Sequence, residues 1–436
     1  FSDNDVNYFK PALGGLNHPI VSCFEEDEDG SLWIGTEGGG LNYWNRKTDE
    51  FRHFTQENKS GITSNMIKNL HRGQGGQGLL VSTFNGGMLR FERPGLRFVD
   101  LQIRHPFTHG PLSVYDFAMD AGSGIWMTNP DSQLIYKEKG KPLAEVASLR
   151  DAKGNVVSMH IETLFFDKGN RLWLITRNGL YIVNAGKRLI EKHYYIPNTS
   201  YSVNNLCSFC ITSDSEIWFG TRGGGANKLT KDGGYSNFSE KEGLMGKTVF
   251  GILEDTGSKN VWFSTNDGLY YYSHKTKKIQ KFPMDIPNLC GAFYVRSCFK
   301  TSRNEMLFGG TKGFIMFTPG KIKQNSQKPK VFFTDLLINN KKVIPGDEKS
   351  PLKQDISTFS YTKENNNKII LSHKQSNIEI RVSTNSYLDA EKNRCSYRMI
   401  GLSDKWYLLP PGQKSIQFFN LPAGKYIFEV KAATND

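Results

Sequence analysis

Three stretches of the sequence hold residue types and spacings that chemistry uses. The run L-W-I-G-T-E-G-G-G-L, Leu32 to Leu41, sets three glycines behind an apolar strand, as a phosphate-cradling loop does. Glu25-Glu26-Asp27-Glu28-Asp29-Gly30 gathers carboxylates that could hold calcium. Cys207-x-x-Cys210 has the spacing of a redox or zinc pair. Each lacks a required companion. A phosphate loop needs a helix to open behind the glycines, but L-N-Y-W-N-R-K-T-D-E-F-R-H-F reads as two short strands around a polar turn. The acidic run lacks the EF-hand spacing and its distal Glu. A zinc site needs a second ligand pair, and none follows at a suitable distance. Cys23, Cys210 and Cys298 read as thiols in similar places of innermost strands, packed as small apolar residues. The expectation is no catalytic set, no metal and no cofactor.

The glycine stretch instead recurs. Its relatives are L-L-V-S-T at 79–83, I-W-M-T-N at 125–129, L-W-L-I-T at 172–176, I-W-F-G-T at 217–221, V-W-F-S-T at 261–265 and M-L-F-G-G at 306–310. The second residues are Trp33, Leu80, Trp126, Trp173, Trp218, Trp262 and Leu307, spaced by 47, 46, 47, 45, 44 and 45. A fixed period in this range marks a repeat architecture. Each unit reads as four strands: a short apolar one, a polar turn, the Trp-bearing strand, a Gly turn that calls for φ above zero, then two more. The Trp-bearing strand is apolar on both faces, so it needs cover on both sides. Radially stacked four-stranded sheets give that cover, and seven units make a ring.

The fold expected is therefore all-β: a seven-bladed β-propeller followed by an immunoglobulin-like β-sandwich. The seventh unit supplies three strands before Pro319-Gly320, and Val6-Asn7-Tyr8-Phe9 resembles the missing fourth. Pairing the two removes an open sheet edge. The domains expected are 1–319 for the propeller closed by the N-terminal strand, 320–330 for a Lys/Gln/Ser-rich linker, and 331–436 for the sandwich. About seven short strands fit that last segment, and the final one stops at Ala432–Asp436, where another is expected.

Bulk properties narrow the field. The net charge of +12 permits an acidic partner. The basic residues are scattered, however, and no nucleic-acid-binding motif accompanies them, so direct nucleic-acid contact is not expected. No apolar run approaches 18 residues, so nothing here spans a membrane by helix. The chain begins in mid-fold, which reads as a piece of something longer.

Two motifs carry a resemblance. D-x-x-G-x-L-W-I-G-T-x-x-G-G-L, with Ile62-Thr63-Ser64-Asn65-Met66-Ile67 after it, resembles the two-component-regulator propeller repeat. Asn393 to Trp406 (N-R-C-S-Y-R-M-I-G-L-S-D-K-W), with Leu421-Pro422-Ala423-Gly424-Lys425-Tyr426-Ile427-Phe428, resembles the three-tyrosine domain that follows such propellers. The pairing is similar to the periplasmic sensor region of hybrid two-component sensor histidine kinases of gut Gram-negative bacteria. The resemblance implies two propellers before the sandwich, and a membrane helix, kinase, receiver and DNA-binding domain after it. It implies an oligosaccharide ligand, control of polysaccharide-utilisation genes, a homodimer, and a periplasmic region of an inner-membrane protein that lies close to the membrane but not in it. Cys395 departs from the pattern, which usually has tyrosine there.

In a propeller, the loop entering strand one and the turn joining strands two and three share one side and converge on the axis. The turns offer Glu37, Asn85, Asn129, Arg177, Arg222, Asn266 and Lys312, and the entry loops His18, Asn65, Tyr115, His160, Asn204 and Lys247. Arg177 and Arg222, from neighbouring blades, suit a carboxylate or sulfate held by bidentate bonds. Tyr115 suits a sugar face. The ligand-binding set expected is Arg177, Arg222, Tyr115, His160, Asn204 and Lys247. The alternative is a propeller glycoside hydrolase or lyase, which needs two facing carboxylates such as Glu37 with Asp116 or Asp267.

Overall fold

The computed structural model describes residues 6–73, 78–141, 143–167, 169–195, 204–230, 234–282, 289–322, 330–346, 350–359, 368–384, 394–410 and 412–433. The chain divides into two compact units, Ser2–Lys323 and Gln324–Asp436. Most of the expected linker, 323–329, lies outside the described residues.

Among the described residues the first unit consists of seven four-stranded antiparallel sheets. The Trp-bearing second strands, such as Leu32–Thr36, Leu172–Thr176 and Val261–Thr265, are buried along their whole length, as residues apolar on both faces require. The innermost strands are Val21–Glu26, Ile67–Arg72, Asp116–Met119, Ile161–Phe166, Leu206–Ile211, Val249–Glu254 and Phe293–Lys300. Each touches the next, and Phe293–Lys300 returns to Val21–Glu26, so the ring is closed.

The strand expected at residues 6–9 pairs antiparallel with Gly313–Phe317, running from Val6 opposite Phe317 to Phe9 opposite Phe314. It takes the place of the fourth strand of any other blade. In blade 1 a Cβ on Gly40, at φ +71°, would lie 2.3 Å from the carbonyl oxygen of Phe54, the last residue of strand four. In blade 7 a Cβ on Gly313 would lie 2.0 Å from the carbonyl oxygen of Phe9. Only glycine tolerates that approach. The other glycines of the first cluster differ from expectation. Gly38 and Gly39 do not take positive φ; they are needed because His18 and Asn17 side chains press against them, within 2.8 and 2.5 Å of a built Cβ.

The polar turns between strands one and two share one design. Asp27, Asp120 and Asp167 each accept the indole N–H six residues on, from Trp33 (3.2 Å), Trp126 (3.0 Å) and Trp173 (2.9 Å). The acidic run at 25–30 therefore serves blade 1 through Asp27, which also pairs with Arg93. Among the described residues no group of three His, Cys, Asp or Glu side chains is placed to hold a metal.

The cysteines need a correction. Cys23 stands opposite Gly35, Cys298 opposite Phe308 and Cys210 opposite Trp218, three different register positions of the innermost strand. All six are free thiols, and burial pushes Cys23, Cys207, Cys210, Cys290 and Cys298 up to about 12.

The second unit holds a four-stranded sheet, in the order Lys341–Lys342, Val331–Ile338, Ile378–Thr384, Ser415–Phe418, and a three-stranded sheet, Ser403–Leu408, Arg394–Ile400, Ile427–Ala433. Leu336, Ile380, Val382 and Ile416 of the first pack with Cys395, Tyr397, Phe428 and Val430 of the second, giving a two-layer sandwich. Lys368-Ile369-Ile370-Leu371, though apolar in pattern, forms no strand; Ile369 and Leu371 pack on the core without joining a ladder.

Candidate functional site

In most blades the innermost strand carries a bulge near its start. It falls between Val21 and Cys23, Ile67 and Asn69, Ile161 and Thr163, Leu206 and Ser208, Val249 and Gly251, and Phe293 and Cys298. A bulge re-aims the extra residue out of the ladder. The residues so released include Lys68, Glu162 and the segment from Tyr294 to Ser297, within which Arg296 takes φ +61°.

The turn after strand two lies beside the segment entering strand one. The Glu37 N–H donates to the Ile20 carbonyl (3.0 Å), Arg177 to His160 (3.1 Å), Arg222 to Asn205 (2.8 Å) and Asn266 to Thr248 (3.2 Å). Turn and entry residues thus meet the bulge residues at one end of the ring.

The result is a chain of charged groups. Lys68 Nζ donates to both Glu37 oxygens at 2.8 and 2.7 Å, and Tyr294 Oη donates to the same carboxylate at 2.9 Å. The Lys68 ammonium also lies 5.5 Å from the ring centres of Phe84 and Tyr115, within cation–π range. Asp116 is buried; it accepts from Asn69, Thr163, the Phe117 and Leu164 amides, and Arg296 Nη1 at 3.0 Å. Glu162, its side chain 10% exposed, accepts from Arg177 Nε at 2.7 Å and Arg222 Nη2 at 3.0 Å.

Electrostatics follow from this packing. Burial works to raise the Glu162 pKa, but the Arg177 bond and the charges of Arg222, Arg177 and Arg296 outweigh it and hold it below the usual carboxylate range. Burial lowers His160, and the Arg177 and Arg222 charges lower it further against the pull of Glu162. Its Nδ1 shares a hydrogen with Ser132 Oγ at 2.5 Å.

The expected ligand-binding residues fare unequally. Arg177, Arg222 and His160 do come together, but around Glu162, which occupies the position foreseen for a ligand's acid. Tyr115 stands by Lys68 and Phe84, close enough to Glu37 and Glu162 that their charges, after burial, raise its phenol pKa. Asn204 is only 3% exposed, so it faces the interior and not an open mouth. The Lys247 carbonyl accepts the Gly223 and Gly225 amides while its side chain is exposed. Of the other turn residues, Asn129 binds Gln133, Asn266 the Thr248 amide, and Asn85 the Ser113 hydroxyl. The carboxylates named for glycoside hydrolysis are engaged elsewhere: Glu37 by Lys68, Asp116 by Arg296, and Asp267 by Tyr270 and Lys281.

Lys68, Glu162 and Arg296 lie on the innermost strands, outside the loops and turns from which the ligand-binding set is expected. The signal was present: I-K-N-L and I-E-T-L place one charge second in an apolar strand, where the bulge falls.

Comparison with known proteins agrees with this architecture. Residues 15–38 match the two component regulator propeller model and residues 386–436 the Y_Y_Y domain model. The chain is 28% identical over 431 residues to "Histidine kinase P4" of Formosa agariphila, covering 97% of this chain and 30% of that protein. The extracellular domain of a putative hybrid two component system from B. thetaiotaomicron superposes with a TM-score of 0.78 at 23% identity, over 99% of this chain and 55% of that one. A virginiamycin B lyase from Staphylococcus aureus shares the propeller at 14% identity and a TM-score of 0.55, over 72% of this chain and 98% of its own. The chain thus spans under a third of its curated relative and about half of that solved extracellular domain.

Proposed function

We propose that this chain is the ligand-sensing extracytoplasmic region of a hybrid two-component sensor kinase, detecting oligosaccharides in the periplasm and thereby controlling polysaccharide-utilisation genes. Propeller and Y_Y_Y matches in one chain, in that order, support the sensor class. The observation that carries ligand binding is the inner rim itself: ionisable groups from blades 1, 2, 3, 4, 5 and 7 converge there, and the Arg177 side chain stays 44% exposed. Such a convergence of charge beside the aromatic Tyr115 suits hydroxyl- and acid-bearing sugars. The sandwich carries the signal onward in a homodimer anchored by a segment beyond this chain, without contacting nucleic acid. A ligand shifts that dimer only by its different affinity for the two signalling arrangements. No catalytic role is assigned, since the rim carboxylates are held by cations and hydroxyls.

The test is a thermal-shift screen of the whole chain against polysaccharide fragments, followed by calorimetry. Preferential binding to the folded state raises Tm in proportion to RT ln(1 + [L]/Kd). A shift with one glycan class and no new reducing ends supports the sensor. Release of new reducing ends supports the hydrolase or lyase alternative, and silence across the screen counts against glycan sensing.

A further inference from the structure

The charges of the inner rim can be counted. Within the ion-paired network, leaving aside the exposed side chains of Lys247 and Lys312, Lys68, Arg177, Arg222 and Arg296 face Glu37, Asp116 and Glu162: four cations against three carboxylates. Glu37 answers Lys68 and Asp116 answers Arg296. Glu162 alone is shared by Arg177 and Arg222, which leaves one positive charge uncompensated. That charge has an open side. Arg177 meets Glu162 through Nε, and its Nη1–Nη2 edge has no partner among the described residues, on a side chain 44% exposed. A guanidinium's end-on edge is the fork that matches a carboxylate bidentately. Arg222 is less available, with its Nε buried and its Nη2 on Glu162.

Resting on the sensor reading above, we infer that the rim takes one carboxylate, that of a uronic-acid-type sugar, on the open edge of Arg177, and that Glu162 is the fixed negative wall that turns away a second anionic group. Glu162 thus sets charge selectivity. A ligand with one acid replaces the missing counter-charge. A ligand with an added sulfate must bring it toward an ionised carboxylate that is itself held in place by two arginines. Specificity then lies in the repulsive element as much as in the attractive one. His160, kept neutral near pH 7 by burial and by the two arginines, adds no further positive charge to the count.

The experiment is calorimetry on the whole chain with three probes: a glucuronate-terminated disaccharide, its methyl ester, and the same acid bearing one sulfate. The acid should bind about tenfold or more tightly than the neutral ester, a difference worth about 1.4 kcal/mol. Arg177→Ala should erase that difference, and Arg177→Lys, which keeps the charge without the fork, should erase most of it should the alanine variant fold poorly. Glu162→Gln should improve binding of the sulfated acid relative to the unsulfated one. Equal affinity for acid and ester, or a preference that survives both Arg177 variants, overturns the inference and leaves the sensor reading standing if other glycans raise Tm. Silence of all three probes overturns the inference as well; only silence across the wider glycan screen removes the sensor reading with it.

Discussion

Arg296 Nη1 stands 3.0 Å from Asp116 Oδ2, joining the innermost strand of blade 7 to that of blade 3. The pair spans 180 positions of sequence. Asp116 has a side chain 4% exposed and Arg296 one 27% exposed, so solvent screens the pair only in part. Removing one partner of a buried pair strands the other, at a cost of about 3–5 kcal/mol when burial is complete. The exposure of Arg296 reduces that to about 2 kcal/mol. Arg296→Ala should therefore lower the urea midpoint measurably, and Asp116→Ala in the same background should cost less than it does alone. Additive losses in that double-mutant cycle would show that the two side chains are not coupled.

Glu162 makes a second non-additive case. Replacing both Arg177 and Arg222 by Ala strips a carboxylate that is 10% exposed of both arginine partners and leaves it only the weaker support of the Arg296 charge and of His160 Nε2 at 3.5 Å. The double variant should lose about 2–3 kcal/mol in urea melts. Adding Glu162→Gln should return most of that loss, because a neutral amide needs no counter-charge. A triple variant as unstable as the double would place the damage in lost packing of the arginine stems.

What the sequence made legible, and what it did not, follows from the range of the interactions. The seven-fold period, the two-sided burial of the Trp-bearing strands and the partnering of Val6–Phe9 with blade 7 all rest on local pattern plus the need to hide apolar faces. Placing Arg177 and Arg222 together needed only the propeller's geometry. The role of Glu162 was hidden, because it depends on a bulge, and a bulge is decided by the fit of one strand to its neighbours and not by the identity of the bulged residue. Asn204 shows the opposite error. A polar residue in an entry segment reads as exposed, yet here it is buried. The indole–carboxylate spacing of six, Asp27 to Trp33, Asp120 to Trp126 and Asp167 to Trp173, stands in the sequence, but a polar turn alone does not reveal that the carboxylate folds back onto the indole.

Glu25 gives a pH prediction. Burial, opposed by backbone bonds and by Arg72, raises its carboxyl from 4.5 to about 7. Below pH 4.5 the group is protonated in folded and unfolded chains alike, and it costs nothing. Between 4.5 and 7 the unfolded chain releases the proton while the folded one keeps it, so stability falls as pH rises, and above 7 the full penalty is present. Glu25→Gln should thus stabilise the chain at pH 8 by about 1–3 kcal/mol and leave it nearly unchanged at pH 4. An equal gain at both pH values would mean that the effect is packing and not ionisation.

Removal of residues 1–12 tests the closure of the ring. The strand Val6–Phe9 lends blade 7 its fourth member, and Phe9 stacks on Phe314 at 4.5 Å and meets Trp44 of blade 1 at 4.8 Å. Without it the Gly313–Phe317 strand has an unpaired edge, and the apolar cluster that includes Leu307, Phe314 and Met316 opens on one side. Phe9 is partly buried, so its loss costs less than the about 3–5 kcal/mol of a fully buried aromatic, but the lost strand pairing adds to it; at roughly 2 °C per kcal/mol for a domain of this size Tm should fall by about 5 °C or more. Phe9→Ala should reproduce part of the loss with the backbone pairing intact. Gly313→Ala should also destabilise, since its Cβ would press on the Phe9 carbonyl, but Gly313→Ala in the truncated chain should cost less, because that carbonyl is gone. A truncated chain that melts where the full one does would mean that the ring closes without its first strand.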